Sequence, residues 1–188
     1  MRRPLPPGTP DLAPPALFVI TGVMAAGKST IAQALAERLP QSVHLRGDVF
    51  RKLIVSGRAA MTAELSDEAE AQLNLRYRLA AGAAREYLNA GFSVVYQDII
   101  VGKRLPEVLG LLPASPFLVV LCPDAEVVAA RDAARAKTGY SAAFTAAFFD
   151  RVLRNETPPL GLWLDTSAFG VTATVETILA RLDEARIP

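Results

Sequence analysis

The chain has one cysteine (Cys122), one histidine (His44) and one tryptophan (Trp163) in 188 residues. A single cysteine excludes any intrachain disulfide and any cysteine-based metal cluster, and makes a reducing cytoplasm the expected compartment. An excess of one charge is also missing, since 20 Lys+Arg face 19 Asp+Glu. That balance argues against nonspecific nucleic-acid binding and membrane-surface binding, so any basic site must be local. No apolar run approaches the roughly 18 residues that span a bilayer. Met1-Arg2-Arg3 leads into prolines instead of the apolar stretch of a signal peptide. No internal repeat is visible. The expectation is a cytoplasmic protein, monomer or homodimer, with neither a nucleic-acid nor a membrane partner.

Hydrophobic residues make up 51% of the chain, enough for one domain with one buried core. Residues 1–15 hold six prolines; they read as a tail that cannot donate a hydrogen-bond ladder, or as a Pro-rich docking segment. The domain is expected over 16–188.

From Leu17 onward, short apolar runs alternate with helical patterns. Leu17-Phe18-Val19-Ile20 reads as a strand covered on both faces. A helix follows from Lys28, with Ile31, Leu35 and Leu39 on one face and Pro40 helping to end it. A short strand is expected at Val43–Leu45, and Asp48 opens a brief helix toward Ser56-Gly57. Ser66 reads as an N-cap ahead of Asp67, Glu68 and Glu70, and the helix continues through Leu73, Tyr77, Ala80, Ala84 and Leu88 to a stop at Gly91. Further strands are expected at Phe92–Tyr96, Phe117–Leu121 and Leu162-Trp163-Leu164. A helix starts at Pro123-Asp124, and a closing one carries Val171, Val175, Ile178, Leu179 and Leu182. Such alternation implies a parallel sheet with helices on both faces, and ligands beyond the carboxyl ends of its strands.

Gly22-Val23-Met24-Ala25-Ala26-Gly27-Lys28-Ser29 fits the phosphate-loop pattern in full. With 12 glycines, four lysines and 19 Ser+Thr, chance would produce that pattern in roughly one chain in several hundred. Here it also lies between an expected strand and an expected helix. The glycines let backbone N–H groups turn inward, and the helix points its positive end at the phosphates. Lys28 is expected on the β- and γ-phosphates, the Ser29 hydroxyl on Mg²⁺ and Thr30 near the α-phosphate, with Ala25 and Ala26 supplying loop backbone.

The other strand ends carry acids and bases. Asp48 follows strand two and Asp98 strand three. Between them they can hold Mg²⁺ and take the proton of an attacking hydroxyl. Asp48 also suits a helix N-cap, and Asp98 a turn. Arg51 lies one helical turn beyond Asp48 and can face the same cleft, where it would touch substrate. Arg131 and Arg135 share a helical face, and with Thr138-Gly139-Tyr140-Ser141 they suggest a mobile lid, at about 131–150, that brings cations to the transferred group. Asp165-Thr166-Ser167 after strand five either lies beside adenine, with Thr166 in contact, or caps the last helix. His44, Cys122 and Trp163 read as structural.

The phosphate loop, Gly47-Asp48, Asp98, the Arg131/Arg135 helix and Leu164-Asp165-Thr166 together resemble the small P-loop kinases of metabolites and antibiotics. Chloramphenicol 3-O-phosphotransferase-like, AAA_33-type enzymes stand nearest, with adenylylsulfate kinase, gluconate kinase and the zeta toxins further off. The resemblance runs from about Leu17 to the end. It implies the three-layer α/β/α P-loop NTPase fold, a five-stranded parallel sheet of order 2-3-1-4-5 and a small helical lid. It also implies ATP and Mg²⁺ as cofactors, and Asp48 as the base. The expected activity is transfer of the γ-phosphoryl group to a hydroxyl of a small molecule. Open alternatives are a kinase of nucleotides or polynucleotide 5′-ends and a nucleotide-binding regulatory module. A GTPase is disfavoured, because Cys122-Pro123-Asp124 stands where Asn-Lys-x-Asp would be required.

Overall fold

The structure, a computed structural model, describes residues 15–62, 64–134 and 145–187. The Pro-rich segment up to Pro14, together with Arg135 and the 138–141 stretch of the expected lid, lies outside the described residues.

Five parallel strands form one sheet: β1 (Leu17–Gly22), β2 (Ser42–Arg46), β3 (Ser93–Gln97), β4 (Phe117–Leu121) and β5 (Leu162–Leu164). Their order is β2-β3-β1-β4-β5, as the resemblance implied. β1, β3 and β4 are buried along their whole length. That is why β4 and the Leu17–Ile20 part of β1 read as unbroken apolar runs instead of alternating ones, while β3 also buries Ser93 and Gln97 at its ends. Phe18 and Phe117, neighbours across β1 and β4, stack with ring centroids 5.0 Å apart.

Helices cover both faces. α1 (Lys28–Arg38) buries Ile31, Ala32, Leu35 and Ala36 and packs on α7 (Val171–Ala180). α3 (Asp67–Asn89) packs on β3 and on α4 (Arg104–Leu111). Ser66 caps α3 as expected, its Oγ accepting from the Ala69 N–H at 3.2 Å, while three acids occupy the first turn. Ala80, Ala81 and Ala84 are buried, and their small side chains let α3 lie close to the sheet.

Three expectations need correction. α2 covers only Asp48–Lys52 and stops short of Ser56-Gly57. The closing helix breaks at Arg181, so Leu182 begins a separate turn, α8 (Leu182–Ala185). α4 was not anticipated, because Pro106 and Gly110 break its helical pattern. Pro106 is tolerated in the first turn, where backbone N–H groups have no intrahelical acceptor. After α5 (Ala125–Ala133), the chain re-enters the described region at α6 (Ala146–Arg151), which runs into a wide π-type turn at Val152–Glu156.

Candidate active site

β1 lies between β3 and β4 in the middle of the sheet, and its carboxyl end launches the phosphate loop. Gly22 has φ 139°, and a Cβ there would strike the Leu121 carbonyl oxygen. Gly27, at φ 96°, is the left-handed residue from which α1 starts. The first turn of α1 contains no acid and has no side-chain cap, so its positive end is offered to an anion. The Lys28 ammonium donates to the Val23 carbonyl at 2.6 Å, bridging the loop from inside.

Thr21 fixes the neighbouring strand end. Its hydroxyl donates to the Ile100 carbonyl at 2.8 Å and accepts from the Ile100 N–H at 2.9 Å. The segment after β3 is thereby pinned beside the loop. The result is a cavity of about 210 Å³ that brings together Gly27, Lys28, Ser29, Thr30, Asp48 and Asp98. Arg46, Arg76 and Gln97 complete its polar wall.

Asp48 opens α2, with Gly47 as the N-cap residue. Its Oδ2 receives the Lys52 ammonium, and the Arg46 Nε lies 3.4 Å from Oδ1. Oδ1 is nonetheless shielded from solvent with no hydrogen bond. Burial by itself would raise the Asp48 pKa. The hydrogen bond from Lys52 and the positive charges of Arg46, Lys52 and Arg76 outweigh it and hold the carboxyl below its usual range.

Asp98 is more deeply committed. Both of its oxygens take bonds from the Arg76 guanidinium, Nε donating to Oδ2 at 2.8 Å and one terminal nitrogen to Oδ1. The Ile99 N–H adds a bond to Oδ1 at 2.7 Å and the Tyr96 hydroxyl one to Oδ2 at 3.2 Å. Burial pushes the Tyr96 phenol up, which keeps it protonated as a donor. The Asp98 side chain is 0% exposed and that of Arg76 14%. Burial also lowers the Arg76 pKa, opposed by Tyr77, Tyr96 and Asp48. Gly47 permits this packing, since a Cβ there would overlap Asp98 Oδ2 and sit 3.1 Å from the Tyr96 ring.

Other expected site residues lie elsewhere. Arg51 lines neither this cavity nor the larger one beside it, and its guanidinium donates to the Ala59 carbonyl at 2.6 Å. Arg131, the expected lid cation, sits in the last turn of α5 and donates to the carbonyl of Thr166, the expected adenine contact, at 3.0 Å; neither residue lines the phosphate cavity. The Asp165-Thr166-Ser167 stretch does not cap α7, whose N-cap is Gly170. Instead the Ser167 hydroxyl donates to Asp165 at 2.6 Å and accepts from the Asp124 N–H at 2.8 Å. Arg76, Arg46 and Arg154 were missed. Arg154 donates to the Cys122 and Pro123 carbonyls, both at 3.3 Å. A signal for Arg76 did exist: with Leu73, Tyr77 and Ala80 it falls at i, i+3, i+4 and i+7, on the apolar face of α3.

The cavity suits a triphosphate, since the phosphate loop, an uncapped helix start and a lysine line it. It also suits Mg²⁺ shared with that phosphate, with the Ser29 hydroxyl and two carboxylates on one wall. Among the described residues no cluster of three or more His, Cys, Asp or Glu could hold a metal. Mg²⁺ is ordinarily bound through one or two protein groups plus substrate phosphates and water.

Residues 17–159 match the AAA_33 family, described as an AAA domain. No curated protein sequence matches the chain significantly. Among solved structures the fold is similar to that of a sugar kinase from Janibacter sp. HTCC2649, at 24% identity and TM-score 0.69, covering 92% of this chain and 96% of that one. The tunicamycin resistance protein of Deinococcus radiodurans is similar at 20% identity and TM-score 0.67, with 92% and 98% covered. A gluconokinase from Sinorhizobium meliloti 1021 follows at 21% and 0.59, with 90% and 92% covered. Among the described residues no helix is long and apolar enough to cross a membrane.

Proposed function

The chain belongs to the AAA-domain family that matches it over residues 17–159, and from that premise we propose that it is an ATP- and Mg²⁺-dependent phosphotransferase acting on a hydroxyl of a small molecule. The observation that carries this reading is the shared cavity of Lys28, Ser29 and Asp48. There the Asp48 carboxylate is held ionised by Lys52 and Arg46 at the wall of the cavity. A carboxylate so placed can accept the proton of an acceptor hydroxyl.

In the proposed reaction the acceptor oxygen forms a bond to the γ-phosphorus while the bond to the β-phosphate oxygen breaks. ADP leaves, and the hydroxyl proton passes to Asp48. Lys28 leaves the Val23 carbonyl for the β- and γ-phosphates, and the loop N–H groups and the start of α1 hold the chain of phosphates in line. Ser29 is the proposed ligand of Mg²⁺. Asp98 supports it through water, since both Asp98 oxygens already carry bonds from Arg76. When bound, Mg²⁺ offsets the charge on the phosphate oxygens. Arg76 and Arg46 supply fixed positive charge at the cavity wall. Thr30 is the proposed contact to the α-phosphate and Thr166 that to the base. Arg131 would serve as a lid cation only after releasing Thr166, together with Arg135. Arg51 would reach substrate only after releasing Ala59.

The test is ATP consumption by the purified protein with Mg²⁺ against a panel of hydroxylated small molecules, with Lys28→Ala as control. Acceptor-stimulated turnover that vanishes in Lys28→Ala supports the proposal. Asp48→Asn should lower transfer by about 10²–10⁴-fold, the range for a general base, with ATP affinity unchanged. Loss of ATP binding in a folded Asp48→Asn protein would refute the base assignment. Tight ATP binding without turnover on any acceptor class would favour a regulatory module.

A further inference from the structure

Beside the phosphate cavity lies a second one of about 400 Å³, within the range that holds a small organic ligand. The two share Met24, Arg76 and Ile99. A molecule in the larger cavity therefore abuts the phosphoryl donor. Most of the larger wall is apolar: Met61 and Leu65 from the loop before α3, Leu73 on α3, Val101 after β3, and Phe149 and Val152 at the end of α6.

Four polar side chains line it, Thr62, Arg76, Tyr77 and Arg104, and their hydrogen bonds run mostly elsewhere; the Thr62 hydroxyl donates to the Glu64 carbonyl. Arg76 is bound by Asp98. Arg104 donates to Glu70 at 3.0 Å and to Asn74 at 3.4 Å. The Tyr77 hydroxyl donates to the Ile99 carbonyl at 3.2 Å. No carboxylate or amide side chain is among the described residues of the lining. Beyond the Thr62 and Tyr77 hydroxyl oxygens, the many hydroxyls of a sugar or ammoniums of an aminoglycoside seated there would lose water with few side-chain acceptors to replace it.

We infer that the acceptor is an alcohol on a predominantly apolar body, neutral or anionic. Its body fills this cavity and its single reacting hydroxyl points toward Asp48 and Lys28. Sugars, polyols and aminoglycosides are disfavoured. This rests on the proposed phosphotransfer for the direction of the hydroxyl, but the binding preference stands on the cavity alone.

The experiment uses three probes: 4-phenyl-1-butanol, glucose and kanamycin. Binding is measured by calorimetry in the presence of ADP and Mg²⁺, and turnover separately with ATP. The expected result is measurable binding of the aryl alcohol only, weakened at least tenfold in Leu73→Asn with ADP affinity unchanged. Val152→Thr, nearly the same size, is the second variant should Leu73→Asn fail to fold, and a several-fold loss is expected. Glucose or kanamycin binding as tightly as the aryl alcohol overturns the inference, as does absence of aryl-alcohol binding or insensitivity to both substitutions. Phosphorylation of glucose without aryl-alcohol binding would sink this inference and leave the phosphotransferase proposal intact. Aryl-alcohol binding that depends on Leu73, with no turnover of any alcohol, would do the reverse.

Discussion

Replacing Arg76 with methionine removes the guanidinium from a carboxylate that has no access to solvent. Breaking a buried ion pair from one side costs about 3–5 kcal/mol, because the surviving charge loses its partner without regaining water. Here Asp98 would keep the Tyr96 hydroxyl and the Ile99 N–H, so the loss should fall near the lower figure, about 3 kcal/mol. That is a large part of the 5–15 kcal/mol that holds a typical domain. Urea unfolding followed by circular dichroism reads it directly. With a slope of about 2 kcal/mol/M, the midpoint should drop by about 1.5 M. Adding Asp98→Leu removes the orphaned charge, and the double variant should recover part of the loss instead of adding to it. A midpoint for Arg76→Met within about 0.3 M of the parent, or strictly additive single and double variants, would refute the account of a buried, mutually dependent pair.

Gly47→Ala should disturb the same pair from the other side, since its Cβ would lie 2.6 Å from Asp98 Cγ. A loss of about 1–3 kcal/mol is expected, and it should shrink in the Arg76→Met/Asp98→Leu background. Ser66→Ala removes the hydroxyl that accepts from Ala69 and should cost about 1 kcal/mol in thermal or urea unfolding. Asp48 gives a pH prediction. Its folded pKa is lowered, so its contribution to stability is complete above the ordinary aspartate value of about 3.9 and is lost as pH falls through the lower folded value. Unfolding free energy measured from pH 6 down to 2 should show a shallower acid limb in Asp48→Asn, and an unchanged limb would argue against the pairing with Lys52 and Arg46.

The parts of the molecule written in contiguous residues were legible beforehand. The phosphate loop is one such part, because its chemistry needs eight successive residues. Phe117–Leu121 is another, because burial on both faces of a central parallel strand leaves no polar alternation to misread. α4 was hidden by Pro106 and Gly110, whose effect depends on where in a helix they fall. The role of Arg76 was hidden for a different reason. Arg78 and Arg85 lie on the same helix but are exposed, and only the approach of α3 to the end of β3 separates one arginine from the others. Asp98 was singled out correctly as a strand-end acid, but its partner comes from 22 residues earlier in the chain and no local pattern announces it. Arg51 and Arg131 show the opposite limit: helical spacing placed each near a cleft, whereas the Ala59 and Thr166 carbonyls decide where their guanidinium groups rest.

The sheet order has a consequence for how such a protein can change. The donor-binding loop hangs from the innermost strand, clamped between two neighbours and by Thr21, so little there can be altered without unpicking the core. The larger cavity, apart from Met24, is walled by helices and connecting segments outside the sheet. Substitutions there at Met61, Leu65, Phe149 or Val152 fall outside the phosphate cavity. On the proposed acceptor assignment, selection, or an engineer, can therefore exchange one acceptor for another by rewriting the stretches around Met61–Leu73 and Phe148–Val152, while Arg76 and the phosphate loop are inherited unchanged.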